Sequence, residues 1–298
     1  MHYEVLENLF CNWLERLLIV DGFQRIITVN DYVKGIFNVD GKVFRLTDSD
    51  KINRRWRGKS FNELSDVEQR RIKNTTIHAI IFSQKKPLGN NTGMYQIFER
   101  INTSGRTLFP QEIRNSVYQN KEINKLLIEL NNYKTWRLLF GSKKFDSRMR
   151  DIEFILRFFA LRDVYLNPPP TTMISLKKCL NDFMGEDINN TPERLSFLRE
   201  LFKTSIDCVF SSLGSSAFHN LSHQGFSTKF NPTIFDSIVI AVSFENDSEK
   251  LSNLKSHHLD LLENQDYQDL IKIRTTNTLN IISRIDMVKK YMNENIED

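Results

Sequence analysis

The chain has 298 residues, 40% of them hydrophobic and 22 of them Phe, which is enough to bury a sizeable core and excludes a disordered protein. A formal net charge of +4 permits nucleic-acid binding without requiring it. No apolar run approaches the length of a membrane span, charged residues interrupt the N-terminus, and three widely spaced cysteines favour a reducing compartment. We therefore expect a cytoplasmic protein without membrane contact.

The first predicted elements surround an Asp-Gly turn. Residues 3–16 carry apolar side chains at helical spacing, and 17–20 form an apolar run that is typical of a buried strand. Asp21 and Gly22 interrupt this run, and a helix is predicted from about Gln24. Because glycine tolerates positive φ and close backbone approach, Gly22 is suited to a sharp turn between strand and helix.

This turn is a candidate anion-binding corner. A helix that begins directly after a tight turn points its free N–H groups and the positive end of its dipole at one place. Arg25, in the first turn, adds a forked cation suited to phosphate. One interpretation is a phosphate-bearing ligand. The other is a plain structural turn, because the repeated glycines of a dinucleotide fingerprint and the Gly-Lys-Ser/Thr of a P-loop are absent.

The next segments complete a small α/β part. Residues 36–46 are predicted as a hairpin with Asp40-Gly41 as its turn. Ser65 and Glu68 match a capping box and open a helix to about Lys73. Residues 75–83 are β-branched and apolar, which predicts a second buried strand that contains His78 as a structural histidine.

From residue 94 onward the pattern is almost wholly helical. Residues 168–170 are three prolines that separate two helices, and 211–230 is polar and rich in Ser and Gly, which predicts a loop. The helices are predicted at 94–101, from Pro110, around 123–130, around 152–161 as a central helix, at 173–184, from Thr191 with Pro192 in its first position, and at 232–244, 248–263 and 276–293. The predicted fold class is α+β and mostly helical, with an α/β part over 1–92 and a helical domain over 93–298.

Two basic groups have two interpretations each. Residues 51–59 are predicted as a basic loop with two interpretations. Its cations contact nucleic-acid phosphates while Trp56 stacks on a base, or the loop is an ordinary solvated one that a buried Trp56 anchors. Residues 143–150 hold a second group at a helix start, where a phosphate, an acidic partner or plain surface charge accounts for it. The candidate DNA-binding residues of the loop are Lys51, Arg54, Arg55, Trp56, Arg57 and Lys59.

The histidines do not predict a metal or nuclease centre. His219-Asn220 with His223 lacks the surrounding pattern of a nuclease motif, and a polar loop is the preferred interpretation. His257-His258 does not have metal-ligand spacing. No catalytic triad can be argued from spacing alone.

Two spaced motifs carry a family resemblance. The string Asp21-Gly22-Phe23-Gln24-Arg25 and the string FERINTSGRTLFPQEIRN over 98–115 resemble the two signatures of the GmrSD N-terminal-domain family, whose first signature is Asp-Gly-Gln-Gln-Arg. These are restriction and phage-defence proteins. Arg148 with 151–161, and the C-terminal 275–285, resemble later family segments.

The resemblance implies a fold related to ParB and sulfiredoxin in which the Asp-Gly-x-x-Arg loop holds phosphate. It implies binding and hydrolysis of a nucleoside triphosphate, GTP or ATP with Mg²⁺, coupled to sensing modified or foreign DNA. By matching position, the catalytic residues are Asp21, which is also the metal ligand, with Gln24 and Arg25. The nucleotide-binding residues are Gly22, Arg25, Thr28, Arg100, Asn102, Glu112 and Arg114.

The chain departs from the family pattern in several places. Phe23 replaces the first Gln of the signature, which removes an amide. Phe109 stands where the family has a Ser or Thr cap, at a cost of about 1 kcal/mol in local stability. Family members begin several dozen residues earlier and many carry a C-terminal His-Asn-His nuclease domain. We therefore expect an N-terminally short protein, in which either the chain is truncated, a partner supplies the missing segment or nuclease, or a working part of the site is lost. A non-catalytic binding module of a split or degenerate system is the alternative function.

Overall fold

The computed structural model describes residues 22–36, 42–81, 92–101, 108–223, 225–245 and 247–294, with only the backbone of 23, 24, 92, 94, 98 and 101. It divides into two compact units, Met1–Ser83 and Gln84–Asp298. The boundary predicted from the sequence follows residue 92. The predicted helix at 3–16, the strand at 17–20 and the hairpin turn at 40–41 lie outside the described residues.

The first unit has two predicted helices, both confirmed, around a small apolar cluster. These are α1 (Phe23–Lys34) and α2 (Asp66–Lys73), with a 3₁₀ turn at Phe61–Glu63 between them. Tyr32 of α1 packs edge-on against the ring of Phe61, with 5.8 Å between the centroids. The predicted capping box of α2 is present, because the Ser65 N–H donates to Oε2 of Glu68 at 3.0 Å.

The predicted buried strand at 75–83 is wrong over its described part. Residues 75–81 follow α2 without regular structure, and all are exposed. Ile80 is 82% exposed, and His78 is exposed rather than buried in a strand. β-Branched residues favour a strand only where neighbouring strands and a packed face receive them, and no such face covers these side chains.

The second unit is almost wholly helical. Its helices are α3 (Thr92–Ile101), α4 (Pro110–Val117), α5 (Glu122–Asn131), α6 (Lys134–Phe140), α7 (Arg150–Leu166), α8 (Leu176–Gly185), α9 (Pro192–Leu213), α10 (Pro232–Val242), α11 (Ser248–Ser256), α12 (His258–Glu263), α13 (Gln265–Lys272) and α14 (Thr278–Asn293), with 3₁₀ turns at Asp187–Asn190 and Gly214–Ser216. The predicted helix at 248–263 divides at His257, and α13 lies in a segment where no helix was predicted.

The predicted loop at 211–230 is also wrong, because it contains the end of α9 and a hairpin. Strands β1 (His219–Ser222) and β2 (Gly225–Phe230) pair antiparallel. Phe230 stacks on Phe154 of α7 with 4.7 Å between the ring centroids. The polar composition concealed this strand, since only a few apolar residues are needed to attach a short hairpin to an existing core.

The core of the second unit surrounds α10. Every residue of α10 from 233 to 242 is buried, so this helix is enclosed more completely than α7, for which the central place was predicted. Asp236 of α10 is fully buried and pairs with Arg157 of α7, with 3.2 Å from Nε to Oδ1. Arg284 of α14 approaches the same carboxylate at 3.6 Å. This buried charge cluster joins three helices.

The predicted class, a mostly helical α+β fold, is confirmed by these elements. No helix in the described ranges is long and apolar enough to cross a membrane.

Candidate functional site

The corner at Gly22 has the backbone geometry that the sequence predicts. Gly22 precedes α1 with φ 87° and ψ 0°, a left-handed conformation that costs glycine little. Its carbonyl accepts the N–H of Ile26 at 2.9 Å, which starts the helical ladder. The N–H groups of the first turn before Ile26 have no acceptor within the helix, and the positive end of the helix dipole lies at the same place.

The guanidinium of Arg25 lies over Gly22. A Cβ placed on Gly22 would be 3.6 Å from Nη2 of Arg25 and 3.7 Å from its Nε. Arg25 is exposed, so a ligand in solvent can reach it. Guanidinium donors beside first-turn amides form the arrangement that binds phosphate oxygens. The cation predicted for this corner is therefore located there.

The other residues predicted for this corner are less fully described. Asp21 lies outside the described residues, and of Phe23 and Gln24 only the backbone is described. Thr28 is exposed one turn further along α1 than Arg25. The described residues contain no group of three or more His, Cys, Asp or Glu side chains that could hold a metal ion. The catalytic and metal-binding roles of Asp21 stay predictions.

Arg114, from the second signature, is buried within the second unit. It is 1% exposed. Its Nε donates to Oδ1 of Asn181 in α8 at 2.8 Å, and its Nη1 donates to Oε2 of Glu153 in α7 at 3.0 Å. Gln111 accepts a further bond from Nη1 at 3.1 Å. In the structure this side chain joins α4 to α7 and α8, and its predicted nucleotide contact stays a prediction.

Glu112 organises the start of α4. Its Oε2 accepts the backbone N–H of Phe109 at 2.7 Å, so a carboxylate three residues on compensates for the missing Ser or Thr cap. Nη1 of Arg148 lies 3.3 Å from the same oxygen, and the Arg148 guanidinium lies 4.5 Å from the centroid of the Phe109 ring. The side-chain cap is absent, as predicted, but Phe109 contributes a cation–π contact in its place.

Arg100 is the residue of the second signature that the structure presents to an open cleft. It is exposed on α3 and lines a cleft of 430 Å³ between α3 and α8. It makes no ion pair with the part of the chain that the structure describes. Asn102, two residues further on, lies outside the described residues.

The middle of the basic loop is engaged with the protein itself. Oε1 of Glu68 accepts the indole N–H of Trp56 at 2.6 Å and pairs with Arg55. The Arg55 guanidinium lies 5.3 Å from the centroid of the Trp56 ring. Hydrogen bonds from Trp56 and Ser65 lower the pKa of Glu68 to about 2. Trp56 therefore anchors the loop on α2 through its indole N–H, but its side chain is 37% exposed and not buried as the structural interpretation expects.

The rest of the loop divides into paired and unpaired cations. Arg57 donates to the Ile52 carbonyl at 2.7 Å and pairs with Asp50 at 2.9 Å. Lys51, Arg54 and Lys59 form no ion pair within the described ranges. These three side chains retain the capacity to contact phosphates, and the predicted DNA contact of the loop stays a prediction.

The second basic group is also largely paired. Arg150 contacts Oδ2 of Asp146 at 2.7 Å, and Arg148 contacts Glu112 as described above. Lys143 and Lys144 are exposed. These contacts favour the surface-charge interpretation.

With this geometry in place, comparison with known families is informative. Residues 9–119 match the family model described as GmrSD restriction endonuclease, N-terminal domain. Over these residues the chain is similar to the GmrSD N-terminal-domain family. Comparison with curated proteins and with solved structures finds no match. The predicted resemblance is confirmed, and both quoted signatures lie inside the matched span.

The family resemblances predicted for segments after residue 119 stay predictions. The segments at 151–161 and 275–285 lie outside the matched residues. They carry Arg157 and Arg284, the two arginines that meet at the buried Asp236. In the structure these residues contribute to packing of the helical core.

Sequence reasoning did not select the α8 side of the cleft. Its residues there are Ser175, Lys177, Lys178 and Asn181. A usable signal existed, because two lysines in the first turn of a helix oppose the helix dipole and call for a nearby anion. The search for motifs in a single sequence passed over it because the opposite wall, α3, is some eighty residues away in the chain.

Proposed function

We propose that this protein is a restriction-type defence protein that binds the phosphates of a nucleoside triphosphate at the corner of Gly22 and Arg25. The observation that carries the proposal is the Arg25 guanidinium lying over Gly22, beside the first-turn amides of α1. The similarity of residues 9–119 to the N-terminal domain of the GmrSD restriction endonuclease family supports the restriction-type class.

The proposed chemistry uses the corner as an anion holder. The amides of the first turn and the Arg25 guanidinium bind phosphate oxygens and offset the charge that develops when the terminal phosphoryl group is transferred to water. Asp21 and Gln24 are proposed to orient the attacking water, whose oxygen bonds to the terminal phosphorus as the bridging P–O bond breaks and a nucleoside diphosphate leaves. The ligand is proposed as GTP or ATP with Mg²⁺, which neutralises part of the triphosphate charge when bound.

Coupling to DNA is proposed through the unpaired cations of the basic loop. Lys51, Arg54 and Lys59 belong to the same unit as the corner. Lys51 and Arg54 are exposed and Lys59 is half-buried, and cations of this kind contact the phosphate backbone without reading the sequence. The restriction-type family supports DNA as the partner.

A thermal-shift measurement tests the nucleotide site. We expect GTP or ATP, with Mg²⁺, to raise the melting temperature of the wild-type protein and Arg25→Ala to abolish the rise. Arg25→Lys keeps the charge but loses the fork, so we expect a partial rise. Lys34→Ala removes an exposed cation at the other end of α1 and is the matched control. A shift that survives Arg25→Ala, or no shift with any nucleotide, would contradict the proposal.

A non-catalytic binding module is the second candidate. Ile77, Ile80 and Ile81 are 66%, 82% and 67% exposed within one short segment, which favours a protein partner that covers them. Phe23 also removes an amide from the signature. The purified chain would then show nucleotide-dependent stabilisation without phosphate release. Release of phosphate that depends on Arg25 would favour the enzyme.

A further inference from the structure

An exposed apolar patch lies where the segment before α8 meets the segment between α13 and α14. Met173, Ile273 and Leu279 are each more than half exposed. Met173 forms an antiparallel bridge with Asn277, which caps α14, and Nδ2 of Asn280 donates to the Ile273 carbonyl at 3.1 Å. These contacts bring apolar side chains from distant parts of the chain to one place on the surface of the second unit.

The exposed side of α13, next to this patch, carries both signs of charge. Asp266, Asp269 and Lys272 are exposed and follow one another at intervals of three residues, which places them on one side of the helix. Arg274 is exposed just beyond its C-terminal end. None of these four side chains forms an ion pair with the residues that the structure describes. Acids therefore lie at one end of the surface, and cations lie at the other end beside Ile273.

This order of charges makes the surface complementary to itself. When two copies of a chain meet about a two-fold axis, the same surface of each copy contacts the other. An axis that passes beside Ile273, perpendicular to α13, sets the two α13 helices antiparallel and brings the two apolar patches together. The acids of each copy then lie opposite the cations of the other, around an apolar centre, which is the composition of a specific protein interface.

A nucleic-acid strand fits the same surface less well. Its phosphates would bind Lys272 and Arg274 but would be repelled by Asp266 and Asp269. Like charges placed opposite each other exclude a partner, so a surface of mixed charge favours a partner whose charges are mixed in the reverse order. A second copy, related by a two-fold axis, has that order.

We propose that two copies of this chain associate through this surface, the α13 face, which comprises Asp266, Asp269, Lys272 and Arg274 with the apolar Met173, Ile273 and Leu279. The association buries the apolar patch and pairs the two acids of each copy with the two cations of the other. It does not rest on the proposed nucleotide corner, because the α13 face belongs wholly to the second unit.

Sedimentation equilibrium of the full-length chain, over roughly 1–100 μM, tests the association. We expect the wild-type chain to form dimers that weaken as salt is raised, because the charged pairs lie at the rim of the interface. Lys272→Glu combined with Arg274→Glu places like charges opposite Asp266 and Asp269, which should raise the dissociation constant by about tenfold or more. Asp266→Lys combined with Asp269→Lys should raise it similarly.

Mixing the two charge-reversed proteins separates this interface from any other. One protein then carries only acids on the α13 face, and the other carries only cations. We expect each to be monomeric alone and the equimolar mixture to form a heterodimer. Lys143→Glu combined with Lys144→Glu is the matched control, because it reverses two exposed lysines elsewhere in the second unit. This control should dimerise as the wild type does.

A single substitution provides a variant whose folding is not in doubt. Arg274 has a φ of 45°, which strains any residue other than glycine. Arg274→Gly therefore removes one cation and relieves the backbone, so it should weaken the dimer without lowering the melting temperature. A wild-type chain that stays monomeric, a dimer that both double reversals leave unchanged, or a mixture that does not associate would overturn the proposal. Melting curves verify that each variant is folded.

Discussion

The basic loop at 51–59 and the cleft between α3 and α8 are both rich in cations, but they differ in what those cations already bind. In the loop, Arg55 and the Trp56 indole converge on Glu68, and Arg57 binds Asp50. In the cleft, Arg100 has no ion pair and the buried Tyr95 hydroxyl has no hydrogen-bond partner among the described residues. Which donors folding leaves unsatisfied is therefore not revealed by a count of Lys and Arg in the sequence.

The largest predicted effect on stability comes from Arg114, whose side-chain hydrogen bonds are made to other residues of the helical unit. Arg114→Met should lower the free energy of unfolding by roughly 3–5 kcal/mol, because it leaves Glu153 and Asn181 without their buried partner. Urea denaturation measures this. Arg54→Ala, which removes an exposed arginine of the loop, should change stability by less than about 0.5 kcal/mol. If Arg114→Met and Arg54→Ala lower the free energy of unfolding equally, paired and unpaired cations do not differ in their contribution to stability.

The second prediction concerns His258, a buried histidine of α12. Its side chain is 5% exposed and its Nε2 has no hydrogen-bond partner among the described residues. Burial lowers its pKa to about 4, against the opposing effect of a hydrogen bond to the backbone of Ala217. The unfolded chain, with a pKa near 6.5, binds the proton more readily between these values. Stability is therefore complete above about pH 6.5 and falls by about 3 kcal/mol as the pH drops to 4.

Urea denaturation from pH 7.5 to 4 measures that loss, and His258→Phe should flatten the profile in this range. A wild-type stability that does not fall over this range, or an equal fall in His258→Phe, would contradict the role of a buried, neutral His258.

The third prediction tests how firmly the loop is held. The lowered pKa of Glu68, about 2, means that its carboxylate stabilises the fold above the unfolded pKa of about 4.5 and that this contribution is lost as pH falls from 4.5 towards 2. Glu68→Gln should lower the melting temperature at pH 7 and reduce the acid dependence in that window. The remaining acid dependence in this window should come from Glu63, because the hydrogen bond from Arg45 lowers the pKa of Glu63 to about 2.

The smallest effect on stability, and the sharpest test of DNA contact, comes from the unpaired cations. Replacing Lys51, Arg54 and Lys59 together by Ala should barely change melting but should reduce the salt slope of duplex DNA binding by about 2.7, close to 0.9 per lost phosphate contact. Arg57→Ala, which removes a cation already bound to Asp50, should leave the slope nearly unchanged. Fluorescence anisotropy across a salt series measures both, and an unchanged slope in the triple variant would remove the loop from the DNA interface.

Much of the helical fold could be predicted because its signals are local. The stripe of Ile123, Leu126, Leu127 and Leu130 is buried as its spacing requires, and each of these side chains is at most 2% exposed. Thr191 and Pro192 mark the start of α9 as the capping rules predict. The Asp-Gly turn was similarly readable, since only glycine takes the left-handed conformation at position 22 without strain.

The failures share a physical cause, which is that strands and pockets depend on residues far away in the chain. Residues 75–81 have strand propensity but no covering face, and β2 has a weak local signal but a strong contact through Phe230 with Phe154. The cleft needs Tyr95 and Lys177, whose ring and Nζ lie 5.8 Å apart although eighty-two positions separate them in sequence.

The amino-acid sequence by itself determined the mostly helical class, the family resemblance of residues 9–119 and the turn before α1, because periodicity, spaced signatures and glycine conformation act over short stretches of chain. Tertiary structure alone decided which cations are neutralised by a neighbour and which face solvent. Whether a cation is neutralised depends on side-chain distances across packed helices. Arg114 is therefore buried and hydrogen-bonded between helices, whereas Arg100, fourteen residues before it, lines an open cleft.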